Sequence, residues 1–141
     1  MTEANKTVIR RYIETWNRGD LDAVVGFWAR NLVHHTRMGA HNYDETRRIV
    51  GAIMHSFPDM CFEIKDIIAE KDKVVTRLLW SGTHTGEYMG APPTGRRISC
   101  ALIGIARLED GRIAEHWGVT DELHMMQQMG LLPEEMLAAM A

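Results

Sequence analysis

Proline and cysteine are scarce in this chain of 141 residues, and each scarcity argues against a class of protein. The four prolines are too scattered to form a linker between domains. Cys61 and Cys100 lie far apart, with neither CxxC nor metal-ligand spacing, which argues against a disulfide scaffold or a zinc centre. We therefore expect a reduced, cytoplasmic protein.

Long apolar runs, an excess of positive charge and phosphate-binding loops are also missing. Sixteen Lys and Arg against nineteen Asp and Glu give a net charge of −3, without the basic excess by which nucleic-acid binders neutralise phosphates. No apolar run approaches the roughly 18 residues of a membrane span, and the polar start Met1–Lys6 lacks the apolar core of a signal peptide. No HExxH motif or nucleophile elbow occurs. These absences predict no nucleic-acid partner, no membrane and no metal.

The composition that remains is that of one globular domain, which we expect to span residues 1–141. Hydrophobic residues make up 45% and charged residues 25% of the chain, enough for a hydrophobic core without staples.

Three N-terminal helices are predicted from apolar residues that recur with the helical period. The first covers about residues 3–18 and ends at Gly19. The second begins after an N-cap at Asp20 and carries Leu21, Val24, Val25 and Trp28 on one face. The third begins near Asn42, which forms a capping-box pattern with Glu45, and ends at Pro58.

After Pro58 the apolar period changes from helical to alternating, which predicts strands. Four strands are expected from about Cys61 to Ile68, Val74 to Thr85, Ile98 to Leu108 and Ile113 to Thr120, besides a short one at Leu32–Thr36. A short C-terminal helix follows over about Asp121–Met129. Helices segregated beside a run of antiparallel strands indicate the α+β class. We expect a curved antiparallel sheet packed against the three helices, with a pocket between them.

His116 and Asp121 are the strongest candidates for chemistry. A strand histidine followed by an acid at the strand end suits proton transfer near neutral pH. The alternative is that His116 is an ordinary wall residue and Asp121 the N-cap of the last helix. His34 and His35 are adjacent on a strand, so only one of them can enter the pocket.

The remaining histidines and the tryptophans suggest a lined pocket. Trp16, Trp28 and Trp80 would form an aromatic wall around a flat ligand, or else belong to an ordinary core. His84 lies where a strand gives way to a loop, which predicts a rim position or a hydrogen-bonded turn. Surface positions are expected for the other three histidines, which are His41, His55 and His124.

Short motifs along nearly the whole chain resemble those of one family. The motifs are, in order, Asn17-Arg18-Gly19-Asp20, Phe57-Pro58-Asp59, Gly82-Thr83-His84-Thr85-Gly86-Glu87, Pro92-Pro93-Thr94-Gly95-Arg96, Asp110-Gly111-Arg112-Ile113, Glu115-His116-Trp117 and Gln127-Gln128-Met129-Gly130. This set resembles the SnoaL-like polyketide cyclases of the nuclear-transport-factor-two-like superfamily. The resemblance implies a cone-shaped α+β barrel, a deep pocket and a homodimer formed through the sheet.

The resemblance also implies a reaction, the intramolecular aldol condensation of a polyketide methyl ester by an Asp acid/base without a cofactor. Aligned without a gap, the family's catalytic Asp falls on Gly118 and its histidine on His116. The family's pocket Asn falls on His34, and its polar Gln and His fall on Leu102 and Gly104. Only the histidine is kept.

We therefore expect cofactor-independent acid/base chemistry of the cyclase or aldol type on a small hydrophobic carbonyl compound or polyketide-like ligand. His116 would carry the proton, His34 would assist it or stabilise an enolate as an imidazolium, and Asp121 would be the reserve base. The alternative is a non-catalytic small-molecule binding module or an auxiliary protein of polyketide hydroxylation. The expected substrate-binding residues are Trp28, Trp80, His84, Trp16, Leu102 and Gly118.

Overall fold

The computed structural model describes residues 2–140, which form five helices and six strands. In chain order they are α1 (Thr2–Asn17), α2 (Leu21–Val25), β1 (Trp28–Thr36), β2 (Gly39–His41), α3 (Tyr43–Ser56), β3 (Cys61–Glu70), β4 (Lys73–Thr83), β5 (Arg97–Glu109), β6 (Arg112–Thr120), α4 (Glu122–Gln128) and α5 (Glu134–Met140). The α+β class with N-terminal helices and short C-terminal helices is confirmed. Among residues 2–140, none of the helices is both long and apolar enough to cross a membrane.

The ends of the first and third helices follow the predicted signals. Gly19 ends α1 with φ of +70°, a backbone conformation that glycine adopts without strain. Asn42 caps α3 through a capping box, in which its side chain accepts from the Glu45 N–H at 2.9 Å and the Glu45 carboxylate accepts from the Asn42 N–H at 3.0 Å. Two backbone donors are thus satisfied where the helix begins.

The second helix is shorter than predicted. The Asp20 carboxylate caps it by accepting from the Ala23 N–H at 3.1 Å, but the helix ends at Val25, and Trp28 begins β1. The Ile113 N–H donates to the Phe27 carbonyl at 2.9 Å, and Trp28 pairs with Ile113. Pairing with β6 therefore wins over the helical pattern in which Trp28 would have been the last apolar residue.

One six-stranded sheet runs in the order β2-β1-β6-β5-β4-β3. The pairs among β3, β4, β5 and β6 are antiparallel, as is β1 with β2, while β1 runs parallel to β6. The expectation of a purely antiparallel sheet is therefore corrected at this one pair. The strand β2 was not predicted either, since three residues are too short to show an alternating pattern.

The sheet has an inner face that packs on the helices and an outer face that does not. A row of side chains on the inner face crosses the strands at Val74, Ala106, His116, His34 and His41. The corresponding row on the outer face contains Ile68, Val75, Ile105, Trp117 and His35. The parallel pairing of β1 with β6 therefore places the histidines of these two strands side by side.

Candidate active site

His34 and His116 form a direct side-chain pair on the inner face, called here the histidine pair. They are partners in the β1–β6 register, and their Nδ1 atoms lie 3.1 Å apart. One Nδ1 must donate its proton and the other must accept it, because a hydrogen bond needs one of each. The sequence named both residues, and the structure brings them together.

Both members of the histidine pair are neutral at pH 7. Burial lowers the pKa of His34 to about 4, and the neighbouring charges of His41 and His35 lower it further. Burial likewise lowers the pKa of His116 to about 3, with added contributions from His34 and His35. An imidazolium at His34, expected from the sequence as an enolate stabiliser, is thus disfavoured. The groups available are neutral lone pairs and N–H donors.

His41 joins the pair from β2, which the sequence did not anticipate. It is half-buried and lies opposite His34 in the β1–β2 register, with its ring centroid 6.4 Å from that of His34. Its Nε2 is hydrogen-bonded to the Thr36 hydroxyl at 2.9 Å. The predicted surface position is therefore wrong for His41, because the unrecognised strand β2 folds it back onto β1.

His35 points to the outer face, opposite to His34, as strand alternation predicts. Its ring stacks on Trp117 with centroids 5.1 Å apart, and its Nε2 lies 2.7 Å from Glu115 Oε2. The hydrogen bond from His35 lowers the pKa of the Glu115 carboxyl, and Arg107 adds to this effect. Glu115 is thus held by two outer-face neighbours and does not enter the inner face.

Two glycines make the floor beneath His116. Gly104 and Gly118 are partners in the β5–β6 register. A Cβ on Gly118 would lie 3.3 Å from His116 Cε1, and a Cβ on Gly104 would lie 3.3 Å from His116 Nε2 and 3.4 Å from the Thr76 hydroxyl. Thr76, on the inner face of β4, is 6% exposed. Sequence reasoning missed Thr76, because a single threonine in a strand carries no local signal.

The other half-buried positions open this part of the inner face. Leu102 and Gly118, both expected to bind substrate, are half-buried, as are His34, His116 and Thr120. Leu102 pairs with Thr120 and continues the floor toward the ends of β1 and β6. The inner face is therefore accessible over β6, while the neighbouring strand β4 is buried.

Asp121 is the N-cap of α4. Its carboxylate accepts from the His124 N–H at 3.2 Å, and the residue is exposed. Its own N–H donates to the Ala101 carbonyl at 2.9 Å. The capping alternative is the one seen in the structure.

The three tryptophans expected around a ligand lie in the hydrophobic core. Trp16, Trp28 and Trp80 are 9%, 4% and 5% exposed. Trp28 donates its indole N–H to the Tyr12 hydroxyl at 3.0 Å, and Trp80 packs edge-on against Phe57 at 5.1 Å. These contacts match the alternative in which the tryptophans are ordinary core residues.

His84 is fully buried and holds the loop between β4 and β5. Its Nδ1 accepts from the Thr94 N–H at 3.2 Å and lies 2.9 Å from the Thr94 hydroxyl. The His84 N–H also donates to the Arg96 carbonyl. The hydrogen-bonded turn, one of the two predicted readings, is observed, while the rim position is corrected because the loop folds over the ring.

Cys100 faces the same interior but is not a nucleophile. It is fully buried beside Trp80 in the β4–β5 register. Burial raises the pKa of its thiol to about 12, and the charge of Asp121 adds to the rise. The reactive form of cysteine is the thiolate, so this side chain stays inert at neutral pH.

A small pocket lies where β1 and β6 end, the strands that carry the histidine pair. Its volume is about 200 Å³. The Tyr88 ring contributes a phenol whose pKa is raised, first by burial and then by the Glu122 carboxylate. Arg37 Nε and Glu122 Oε2 form an ion pair of 3.0 Å at the same place. The full lining is Arg37, Tyr88, Met89, Ala91, Glu122, Met125, Met126 and Leu131.

A larger groove of about 470 Å³ lies at the opposite end of the sheet. Val8 of α1, Lys71 of the β3–β4 turn and Asp110 of the β5–β6 turn border it. The histidine pair is not among its lining residues, so we place the site at the inner face. Among residues 2–140, no group of three or more His, Cys, Asp or Glu side chains is arranged to hold a metal ion.

Comparison with known proteins gives consistent matches over most of the chain. The sequence profile of the SnoaL-like polyketide cyclases matches residues 6–129. The aklanonic acid methyl ester cyclase DauD of Streptomyces sp. (strain C5) is 29% identical, over 87% of this chain and 80% of its own length.

Solved structures agree with these matches. AclR of Streptomyces galilaeus, a candidate hydroxylase, superposes with a TM-score of 0.88 at 32% identity, over 94% of this chain and 100% of its own. IdmH of Streptomyces antibioticus, a candidate polyketide cyclase, superposes with a TM-score of 0.77 at 31% identity, over 89% of this chain and 98% of its own.

Proposed function

Because the chain belongs to the SnoaL-like polyketide cyclase family, we propose that it is a polyketide ester cyclase that acts by acid/base chemistry without a cofactor. The substrate would be a small hydrophobic carbonyl compound or a polyketide-like ester. The observation that supports this proposal best is the neutral histidine pair on the accessible part of the inner face.

Ring closure of this kind is an isomerisation, which two imidazoles are able to carry out. A neutral histidine accepts a proton from the carbon next to a carbonyl, and the electron pair moves onto the carbonyl oxygen. The resulting enolate carbon attacks a second carbonyl of the same molecule, and the proton returns to the new alkoxide. No electron is gained or lost, so the reaction requires no redox partner.

His116 and His34 are the proposed catalytic residues, with Asp121 in reserve. The family's acid/base position is Gly118 in this chain, so the proton must be handled by other groups on the same floor. Asp121 is occupied as a helix cap. Leu102 and Gly118 would contact the substrate directly, while Trp16, Trp28, Trp80 and His84 would support the site from the core and the loop.

The protein is also proposed to be a cytoplasmic homodimer that associates through the outer face. Ile68, Ile103 and Val119 are 63%, 50% and 74% exposed, and Ile103 pairs with Val119 in the β5–β6 register. Contiguous apolar side chains of this kind favour a second copy as the partner. Val119→Lys should give a monomer in analytical ultracentrifugation, while Leu123→Lys on α4 should leave the dimer intact. A wild-type monomer would contradict this assignment.

Turnover of a polyketide methyl ester tests the cyclase proposal. The purified protein is incubated with aklanonic acid methyl ester, and the cyclised isomer of unchanged mass is separated by chromatography. His116→Ala should abolish turnover with the melting temperature nearly unchanged, and His124→Gln on the exposed side of α4 should retain turnover. Wild-type turnover that survives His116→Ala would remove this residue from the mechanism.

A role beside a hydroxylase is the second candidate, because AclR is highly similar in structure. In that case, or for a purely binding protein, the same inner face would hold a polyketide without cyclising it. The two candidates differ in one measurement. A binder retains aklanonic acid methyl ester unchanged in calorimetry and chromatography, whereas the cyclase releases its isomer.

A further inference from the structure

The space above Gly104 has two polar side-chain atoms directed at it from different strands. The point at which a Cβ of Gly104 would lie is 3.3 Å from His116 Nε2, 3.4 Å from the Thr76 hydroxyl and 3.7 Å from the Trp117 carbonyl oxygen. An oxygen atom there would come within hydrogen-bonding distance of the first two after a shift of a few tenths of an ångström. Glycine at position 104 is what leaves this space open.

We propose that His116 and Thr76 hold the carbonyl oxygen of the substrate above Gly104, with both side chains acting as hydrogen-bond donors. This inference rests on the proposed function and assigns the atoms that bind the reacting oxygen. The ligand class is a ketone or ester that forms an enolate. Two donors aimed at the oxygen on which negative charge develops lower the barrier to enolisation.

The contact inside the histidine pair determines which proton His116 carries. For Nε2 of His116 to donate, its Nδ1 must be the acceptor, because a neutral imidazole has a single N–H. His34 then donates from its own Nδ1 across the 3.1 Å contact, which leaves a lone pair on His34 Nε2. His34 is therefore a positioning residue for His116 and holds the lone pair that a base needs.

The surroundings keep this arrangement neutral. Burial lowers the pKa of both rings. His41 faces His34 from β2, and His35 lies behind both rings on the outer face, paired with Glu115. The polar groups around the pair are thus histidines on the inner face and an ion pair on the outer one. A neutral N–H donor at His116 stays in place over the whole neutral range.

The proton position in the free protein is the first test, and it does not depend on any reaction. Nitrogen-15 NMR of the imidazole rings should show a protonated Nε2 and an unprotonated Nδ1 for His116, and the reverse for His34. A proton on Nδ1 of His116 would overturn the proposal.

Binding of 2-naphthol, whose ring oxygen resembles that of an enol, is the second test. Thr76→Val and Gly104→Ala should each raise the dissociation constant measured by calorimetry by about tenfold or more, the value of one lost hydrogen bond. The matched controls are Thr15→Val, which removes a buried hydroxyl of α1, and Gly51→Ala, where a Cβ meets only Leu21 at 3.4 Å. Both controls should bind like the wild type.

The outcomes separate this inference from the proposed function. Unchanged 2-naphthol affinity in Thr76→Val would refute the oxygen site, as would no binding by the wild type. If the proton positions and the affinity pattern hold but aklanonic acid methyl ester is not cyclised, the oxygen site stands and the cyclase assignment fails.

Discussion

Acidification should destabilise this protein well before its carboxylates are protonated, because two buried histidines are neutral in the native state. Burial lowers the pKa of His34 to about 4 and that of His116 to about 3. In the unfolded chain both return to their ordinary pKa near 6.5. The unfolded state therefore binds more protons between these values, and stability falls as the pH falls through that range.

The size of the effect follows from the two pKa values. Between about pH 7.5 and about pH 5, each histidine that is protonated only on unfolding should cost about 2 kcal/mol of the free energy of unfolding. Together they would remove about 4 kcal/mol, a large part of the total of a domain of this size. The carboxyls of Asp59 and Glu115, whose pKa values are lowered by their hydrogen bonds, contribute only at more acidic pH.

Urea unfolding followed by tryptophan fluorescence measures this dependence. The wild type should lose stability across the range, and His116→Asn should lose about 2 kcal/mol less than the wild type. His124→Gln, which removes an exposed histidine of α4, should follow the wild type. Stability that is flat down to pH 5 in the wild type, or a loss in His116→Asn equal to that of the wild type, would refute the neutral pair.

Three further changes test other parts of the structure. Asp121→Ala should lower the free energy of unfolding by about 1 kcal/mol through loss of the α4 cap while turnover persists, and a large loss of turnover in a folded protein would instead make this residue the base. Gly86→Ala should destabilise by about 1–3 kcal/mol, because its Cβ would lie 2.4 Å from the His55 carbonyl oxygen, and a melting temperature like that of the wild type would contradict this. Exposed Cys61 should react with a thiol reagent in the native state, while Cys100, buried and with a pKa near 12, should react only on unfolding.

Local features of the sequence were sufficient for most of the elements. The capping box of Asn42 and Glu45, the stop at Gly19 and the cap at Asp121 depend on residues within one helical turn, so their side-chain chemistry is readable directly. Alternation in β3 to β6 is likewise local. The opposite orientation of His34 and His35 follows from strand geometry alone.

Pairing between distant segments had to be seen in the tertiary structure. The parallel contact of β1 with β6 joins His34 to His116, and β2 brings in His41. Neither strand pairing leaves a periodic signal, because each is chosen by the packing of the whole sheet. The same packing ended α2 early and placed Trp28 in a strand.

The sequence by itself determined the family, the helix boundaries and the two histidines most suited to proton transfer. Only the tertiary structure decided that these histidines touch, that burial keeps them neutral, and that Thr76 faces His116 across Gly104. The physical reason is range. Caps and periodicity act over a few residues, whereas desolvation and the meeting of side chains depend on strands that are far apart in the chain.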